Sequence, residues 1–321
     1  MSFLVVTHKH GLIPFAKRIS ADTDILVWRR NYRKVWDGEF VPIQGAEPST
    51  LELEKIVDLI EEQKPVVLSD VRDYEADYPT LEPEGDSVLR MGCWFDMDGE
   101  IHEPHMLVYD MGFKEGDRGR RIANGCTMIR LEGDARHMAK SEIEEQHVDG
   151  RFIPGFYEVS VEPDEDMELQ FTGANRGWNP LQSHAFISHL ENFEGLLLGE
   201  EPKFSASSKY VCVAPITIPP WPEHGRPAAQ VDIEATPEAR GQVFWHDVAV
   251  GAGERNPMSA GTDGLLGVAR GAADDIHTAH GNLIRVLNEV HVPENQARTD
   301  VGAKVPYSVE LVQRLFDGML I

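Results

Sequence analysis

Short apolar runs alternate with amphipathic and polar stretches over the first part of the chain. Three of the runs have the length and composition of buried strands: residues 3–7, 25–28 and 65–69. Pro14 lies where a helix begins after the first run, and residues 49–63 place Leu and Ile on one helical face. Ser49 or Thr50 is the expected N-terminal cap of the second helix. Strands that alternate with helices predict a Rossmann-like unit with a parallel sheet, assigned to residues 1–70.

The middle of the chain is richer in β-type runs than in helical patterns. Five such runs are separated by long connections: residues 87–96, 105–111, 126–131, 156–161 and 167–172. A helix is expected at residues 181–198, where Leu, Ala and Ile recur at near-helical spacing. These elements predict a largely antiparallel sheet in an α+β layer, which forms a central domain over residues 71–208.

The last third of the chain combines strands with one long helix. The expected elements are a strand near residues 209–218, a strand at 242–250, a hairpin at 258–271 and a helix at 272–290. Thr262, Asp263 and Gly264 supply the turn of the hairpin. We assign these elements to a C-terminal domain, residues 209–321, and class the whole chain as α/β with an α+β central part.

Composition and charge narrow the class of protein. With 321 residues, 41% hydrophobic and 26% charged, the chain is long enough for two or three globular domains. It shows neither a bilayer-length apolar run nor a signal-peptide pattern, so a cytoplasmic protein with no membrane partner is expected. The formal charge of −24 argues against a nucleic-acid partner. Cys93, Cys126 and Cys212 lack CxxC spacing, which predicts neither zinc nor a disulfide framework.

Several motifs follow one another in an order that one enzyme family shares. Residues 259–287 read as a small hairpin followed by an alanine-containing helix, and QARTDVG follows at 296–302. GRRIANGC at 119–126 and LQFTGANRGWNP at 169–180 precede them. In this combination the chain resembles glycinamide ribonucleotide synthetase (phosphoribosylamine–glycine ligase). That family carries a Gly-Pro-Asn-Thr-Gly-Gly loop, a Glu-Phe-Asn-x-Arg-x-Gly strand motif and an Arg-Asp-Ile-Gly motif at the corresponding places.

The resemblance implies an ATP-grasp ligase, in which two lobes enclose ATP and Mg²⁺ while an amine is joined to a carboxylate through an acyl phosphate. The strand motif implies metal ligands at Gln170, where the family has Glu, and at Thr172 or Asn175, with Glu168 as a nearby acid. Gln170 is neutral, whereas Mg²⁺ prefers anionic oxygens. Residues 70–86 stand where the first lobe would begin, and they contain no lysine. The implied cofactors are ATP and Mg²⁺, but the expected binding site lacks one negative charge and much of one lobe. Both differences argue against classical ATP-dependent ligation.

Basic and polar residues in turns are candidate substrate contacts. Arg118, Arg121 and Asn124 lie in the densest basic stretch of an acidic chain, and guanidinium and backbone N–H groups bind phosphate or carboxylate. The alternative is a basic loop that pairs with its acidic neighbours Glu115 and Asp117. Both interpretations stay open at this stage.

The resemblance adds further ligand contacts near the ends of strands: Asn175, Arg176, His8 and Gly11. His8 and Gly11 stand in the turn that approaches a ribose phosphate in the family. Asp300 would meet a ribose or an amine, unless it forms a structural ion pair with Arg298. The implied ligand is a small amino acid or a phosphoribosyl compound.

The histidines do not predict a metal site. The 13 histidines include three close pairs: His8 with His10, His102 with His105, and His277 with His280. None is accompanied by an HExxH motif or an evident third ligand, so we interpret them as surface or core histidines.

Two hypotheses of different classes remain. The first is a divergent C–N ligase that uses ATP in an altered site, or obtains the missing lobe from a partner chain or another copy of itself. The second is a pseudoenzyme, a binding or assembly protein that kept its other domains. Residues 70–86 separate the two, because a lid over the central sheet favours the ligase and a plain connector favours the pseudoenzyme.

Overall fold

A computed structural model of the chain describes most of its regular elements. The described residues are 2–7, 18, 24–29, 41–42, 52–69, 87–95, 101–110, 125–130, 155–163, 169–176, 180–201, 203–205, 208–221, 228–250, 257–260, 264–303 and 305. Residues 70–86, which separate the two functional hypotheses, and the helix expected at Pro14 lie outside them.

The described strands and helices are numbered in chain order. The strands are β1 (Ser2–Thr7), β2 (Asp24–Arg29), β3 (Val41–Pro42), β4 (Val66–Ser69), β5 (Ser87–Phe95), β6 (Ile101–Asp110), β7 (Gly125–Arg130), β8 (Gly155–Pro163), β9 (Leu169–Arg176), β10 (Tyr210–Thr217), β11 (Glu234–Ala235), β12 (Val243–Trp245), β13 (Val248–Val250), β14 (Met258–Ser259), β15 (Leu265–Ala273) and β16 (Val290–His291). The helices are α1 (Leu53–Gln63), α2 (Pro180–His189), α3 (Phe193–Leu197), α4 (Pro237–Arg240) and α5 (Ile276–Glu289).

The N-terminal strands form the parallel sheet that their apolar runs predict. Strand β1 lies between β2 and β4 and pairs with both in parallel. Helix α1 packs on one face, where Ile56 joins the buried Leu4. The helix begins at Leu53 after Glu52, whose backbone is extended, so the prediction of a cap at Ser49 or Thr50 was wrong. The predicted parallel pairing of these three strands is confirmed.

One large antiparallel sheet holds the middle and the end of the chain together. Its strand order is β12-β15-β10-β7-β6-β5-β8-β9. The five predicted β-type runs of the middle segment are its strands β5 to β9. Strands β10, β12 and β15 come from beyond residue 208, so the sheet includes strands from both sides of that predicted boundary.

The two faces of the large sheet are covered by different helices. Alternation along β10 sends Val211 and Val213 into a cluster with α2 and α3, to which the N-terminal strands also contribute. Cys212 and Ala214 point to the other face, where they pack against α5. Such sandwiching of a sheet between helices explains why the β10 sequence is apolar without interruption.

The helix expected at 181–198 consists of two helices. The chain leaves the helical path at Leu190, which forms a β-bridge with Phe204, and α3 begins at Phe193. A backbone hydrogen bond of 2.7 Å from Ser205 N to His189 O reinforces the bridge. The apolar spacing continues through the break because both helices bury residues in the same cluster.

Two predictions for the last third were wrong. Residues 242–250 form two strands in different sheets, since β12 pairs with β15 and β13 pairs with β14 and β3. The two segments of the expected hairpin, β14 and β15, also lie in different sheets. The chain redirects at His246 and Asp247, whose N–H groups donate to Leu266 O and Leu265 O. Within the described segments, no helix is both long and apolar enough to cross a bilayer.

Candidate functional site

The β8–β9 edge of the large sheet carries the strand motif. Strand β9 is the edge strand, and it pairs antiparallel with β8. The register places Gln170 opposite Glu162 and Asn175 opposite Glu158. We call these four residues the edge-strand site. Two of its four members are acidic, and neither Glu158 nor Glu162 was among the residues predicted from sequence.

A register shift in this pair aligns the two predicted metal positions. Val159 pairs with Ala174, but Val161 pairs with Phe171, so the β9 strand has one more residue than β8 across this step. Such a bulge shifts the alternation of the strand by one residue. Gln170 and Asn175, five positions apart, therefore occupy equivalent places in the alternation, which a regular strand would not allow.

The C-terminal motif lies against the start of β7. A Cβ built on Gly125 would collide with the side chain of Val301, so the RTDVG segment packs directly where the basic 118–124 stretch ends. Gly302 has a positive φ of 83° and lies close to Thr127 and Cys212. The structure thus brings together two motifs, at Gly125 and Val301, that are far apart in the sequence.

Asp300 forms an ion pair with Arg298. Arg298 Nε and Nη2 donate to the two carboxylate oxygens of Asp300 at 2.5 and 2.9 Å. The Asp300 side chain is exposed. The geometry is that of the structural ion pair, one of the two interpretations that the sequence left open.

The other predicted contacts divide into two groups. The backbone of Asn175 and Arg176 is placed at the end of β9, where Arg176 stands opposite Tyr157. The remaining predicted residues lie outside the described residues: His8, Gly11, Arg118, Arg121, Asn124 and Glu168.

A buried histidine pair lies beneath the other edge of the large sheet. His184 in α2 and His246 after β12 are 0% and 4% exposed, and their Nε2 atoms are 2.8 Å apart. The His184 ring stacks on Phe244, with centroids 4.5 Å apart and planes inclined by 9°. One Nε2 must donate and the other accept in this contact.

Burial keeps the histidines of α2 neutral. Desolvation, together with the charge of His246, lowers the pKa of His184 well below its usual value. Burial and then the charge of Arg130 lower the pKa of His189 to about 4, and a backbone hydrogen bond at Ser208 opposes the shift. Two uncharged imidazoles therefore lie in the core at neutral pH.

Sequence reasoning missed this pair because no local signal marks it. His184 and His246 are 62 residues apart and belong to elements on different sides of the predicted domain boundary. Of the histidine pair in α5, His277 is exposed, and His280 Nε2 contacts Thr299 O at 3.0 Å. In the segments whose side chains are described, no three His, Cys, Asp or Glu side chains are placed to hold a metal ion.

Comparison with solved structures decides the fold. Phosphoribosylamine–glycine ligase from Thermotoga maritima is similar over 93% of this chain and 99% of its own, with a TM-score of 0.57 and 11% identity. The chain has the overall fold of that ligase. Urea carboxylase from Kluyveromyces lactis is similar over 93% of this chain and 30% of its own, with a TM-score of 0.50 and 12% identity. No protein-family model matches the sequence, and no curated protein sequence matches it. At these identities the likeness defines the fold and leaves substrate and activity open.

Proposed function

We propose that the protein is a divergent C–N ligase of the phosphoribosylamine–glycine ligase kind, which joins an amine to a carboxylate through an acyl phosphate. The observation that supports this most is the β8–β9 register. In that register Glu162 pairs with Gln170 and Glu158 pairs with Asn175, so each amide of the strand motif has an acidic residue opposite it on the neighbouring strand. The carboxylate of Glu162 would offset the negative charge that Gln170 lacks.

The donor set of the edge-strand site fits Mg²⁺. Directly opposed residues on antiparallel strands have Cβ atoms about 5 Å apart, which is within reach of a shared ion. Carboxylate and amide oxygens are the ligands that Mg²⁺ takes in nucleotide sites. Glu162 and Gln170 would hold the ion, which in such sites neutralises charge on the phosphates of ATP. The Glu158–Asn175 pair lies four residues, about 13 Å, farther along β8.

The remaining roles follow the motifs. Arg176, next to the edge-strand site, would orient a substrate carboxylate with its planar guanidinium group. The basic 118–124 stretch leads into β7 at Gly125, which the strand register aligns with the Leu169–Gln170 end of β9, opposite to the end that carries Arg176. The ligand class we propose is a small amino acid or a phosphoribosyl compound.

A gain and a loss of charge test the edge-strand site. Gln170→Glu restores a carboxylate and is expected to strengthen Mg²⁺-dependent ATP binding roughly ten- to a hundredfold, while Glu162→Gln weakens it by a similar factor. Isothermal titration with ATP, with and without Mg²⁺, measures both. Glu201→Gln changes the same charge at an exposed residue and serves as the control. Equal ATP affinity in all four proteins would overturn the assignment.

The second candidate is a pseudoenzyme that binds a ligand without consuming ATP. The specific observation in its favour is the neutral Gln170 in the β9 strand. A thermal-shift panel of ATP–Mg²⁺, glycine and ribose 5-phosphate separates the two candidates. Stabilisation by glycine or ribose 5-phosphate, but not by ATP–Mg²⁺, would favour the pseudoenzyme.

A further inference from the structure

Strand β5 borders β8 on the side away from β9, so it is the next neighbour of the edge-strand site. Arg90 of β5 stands opposite Ser160 of β8, and Gly92 stands opposite Glu158. Residues that oppose one another in an antiparallel pair lie on the same face of the sheet. The register therefore places a basic residue of β5 on one face together with alternate residues of β8.

The same face of β8 carries the two glutamates of the edge-strand site. Val159 is fully buried, and the residues of a strand alternate between its two faces. Glu158, Ser160 and Glu162 are alternate residues, so they share the face opposite to Val159. We call these three residues the acidic row. Arg90, which pairs with Ser160, stands beside the middle of the row.

The position of Arg90 is within range of the proposed metal site. Directly opposed residues have Cβ atoms about 5 Å apart, and diagonal ones lie about 7–8 Å apart, a distance that long side chains span. The two glutamates of the acidic row are the diagonal neighbours of Arg90. An ion held by Glu162 and Gln170 would lie between one and two strand spacings from β5, about 5–10 Å. A phosphate bound to that ion would therefore come within range of a guanidinium group at residue 90.

Two of the positions next to Arg90 on this face are occupied by small residues. Gly92 has no side chain, and Ser160 has only a hydroxymethyl group. A glycine inside a strand is typical of a place where a ligand or another backbone comes close to the sheet. Small residues at these two positions favour the approach of a phosphate group to β5 and β8, with the Ser160 hydroxyl as a further donor.

Two explanations fit a basic residue beside two acidic ones. The first is an ion pair between Arg90 and a glutamate of the acidic row, which only balances charge. The second is a contact with the anion that the metal ion brings, because arginine binds phosphate through two parallel N–H groups. The second is favoured, since an ion pair with Glu162 would occupy the carboxylate that offsets the neutral Gln170. The phosphates of ATP also carry more negative charge than one Mg²⁺ neutralises.

We propose that Arg90 binds the phosphate chain of ATP, beside the Mg²⁺ ion that Glu162 and Gln170 would hold. The inference rests on the proposed ligase function, because it requires the edge-strand site to bind ATP with Mg²⁺. The ion would lie on the β9 side of β8 and the arginine on the β5 side, so the two contact different phosphate oxygens. Arg90 would thereby orient the phosphate chain and add to the charge of the ion.

Isothermal titration of the full chain with ATP at saturating Mg²⁺ tests this role. Arg90→Gln is expected to weaken ATP binding about tenfold or more, because it removes a charge-assisted hydrogen bond. Arg90→Lys keeps the charge but loses the fork, so an intermediate affinity is expected. Arg285→Gln removes the same charge from an exposed position of α5 and should bind ATP as the wild type does.

A second titration, with Mn²⁺ alone, separates a phosphate contact from an ion pair. A residue that binds phosphate does not help to hold the ion, so Arg90→Gln should bind Mn²⁺ at least as tightly as the wild type. Glu162→Gln should bind Mn²⁺ more weakly, because it removes a carboxylate ligand. If Arg90 only paired with the acidic row, Arg90→Gln would free a carboxylate, and the affinity for ATP–Mg²⁺ would stay equal or rise.

The outcomes separate the role of Arg90 from the ligase function on which it rests. Weaker binding of ATP–Mg²⁺ with undiminished binding of Mn²⁺ supports the proposal, and Arg90→Lys decides in the same way if Arg90→Gln fails to fold. Equal or tighter ATP–Mg²⁺ binding by every folded Arg90 variant, or a parallel loss of Mn²⁺ binding, overturns it. The ligase function survives that result as long as Glu162→Gln weakens the ATP–Mg²⁺ binding of the wild type. Absence of ATP–Mg²⁺ binding by the folded wild-type chain overturns both.

Discussion

Acidification from pH 7 to pH 4 is expected to lower the free energy of unfolding by roughly 3 kcal/mol through His189 alone. The pKa of His189 is about 4 in the folded chain, whereas an unfolded histidine titrates near 6.5. Between these values the unfolded chain binds a proton that the folded chain does not. Stability is therefore complete above about pH 6.5 and decreases as the pH falls to about 4. His184, whose pKa is also lowered, acts in the same direction.

Urea unfolding at several pH values between 4 and 7 measures this loss. His189→Gln removes the titrating group, and its free energy of unfolding should depend less steeply on pH than that of the wild type. His277→Gln, at an exposed position of α5, is the matched control and should keep the wild-type slope. Parallel curves for all three proteins would show that His189 is not held neutral by the fold.

Gly271→Ala is expected to destabilise the protein by about 3 kcal/mol. A Cβ at this position of β15 would collide with the backbone of α5, at Ala279 O and Leu283 N. The colliding atoms belong to a helix, so they cannot move separately, and the whole of α5 must shift away from the large sheet. Leu283 is fully buried in that contact, so the shift also opens the core.

Gly281→Ala supplies the opposite result within the same helix. A Cβ at Gly281 meets no atom within 4 Å. Alanine is a better helix former than glycine by about 1 kcal/mol, so this variant should be more stable than the wild type. Thermal and urea unfolding of the two variants provide the comparison. Destabilisation by Gly281→Ala, or tolerance of Gly271→Ala, would contradict the packing of α5 on β15.

Apolar runs confined to one strand were predicted correctly from the sequence. The apolar runs of β1, β2 and β4 and the buried face of α1 predicted a parallel sheet with a covering helix, because each depends on residues close in the chain. The β-type runs of the central segment became β5 to β9 for the same reason. Trp245, which lies in the apolar run of residues 242–250, is 1% exposed.

Features that depend on pairing between distant segments could not be predicted from the sequence. Residues 242–250 (QVFWHDVAV) have the composition of one long strand, but they form β12 and β13 in two different sheets. Strand β12 pairs with β15, whereas β13 pairs with β14 and β3. Glu158 and Glu162 became candidate site residues only once the β8–β9 register and its bulge were known. The His184–His246 contact likewise exists only after α2 packs on the large sheet. Sequence periodicity carries no information about such registers.

The most direct test of the proposed ligase function is capture of an acyl phosphate. The full chain is incubated with ATP, Mg²⁺, hydroxylamine and a panel of amino acids. Transfer of the γ-phosphoryl group of ATP to a carboxylate gives an acyl phosphate and ADP. Hydroxylamine then attacks the acyl carbon, so that phosphate leaves and a hydroxamate forms. The proposed ligase function predicts ADP and hydroxamate in equal amounts, dependent on one class of carboxylate and lost in Glu162→Gln. Binding of ATP–Mg²⁺ with no hydroxamate from any carboxylate, or no binding of ATP–Mg²⁺ by the folded chain, would contradict it.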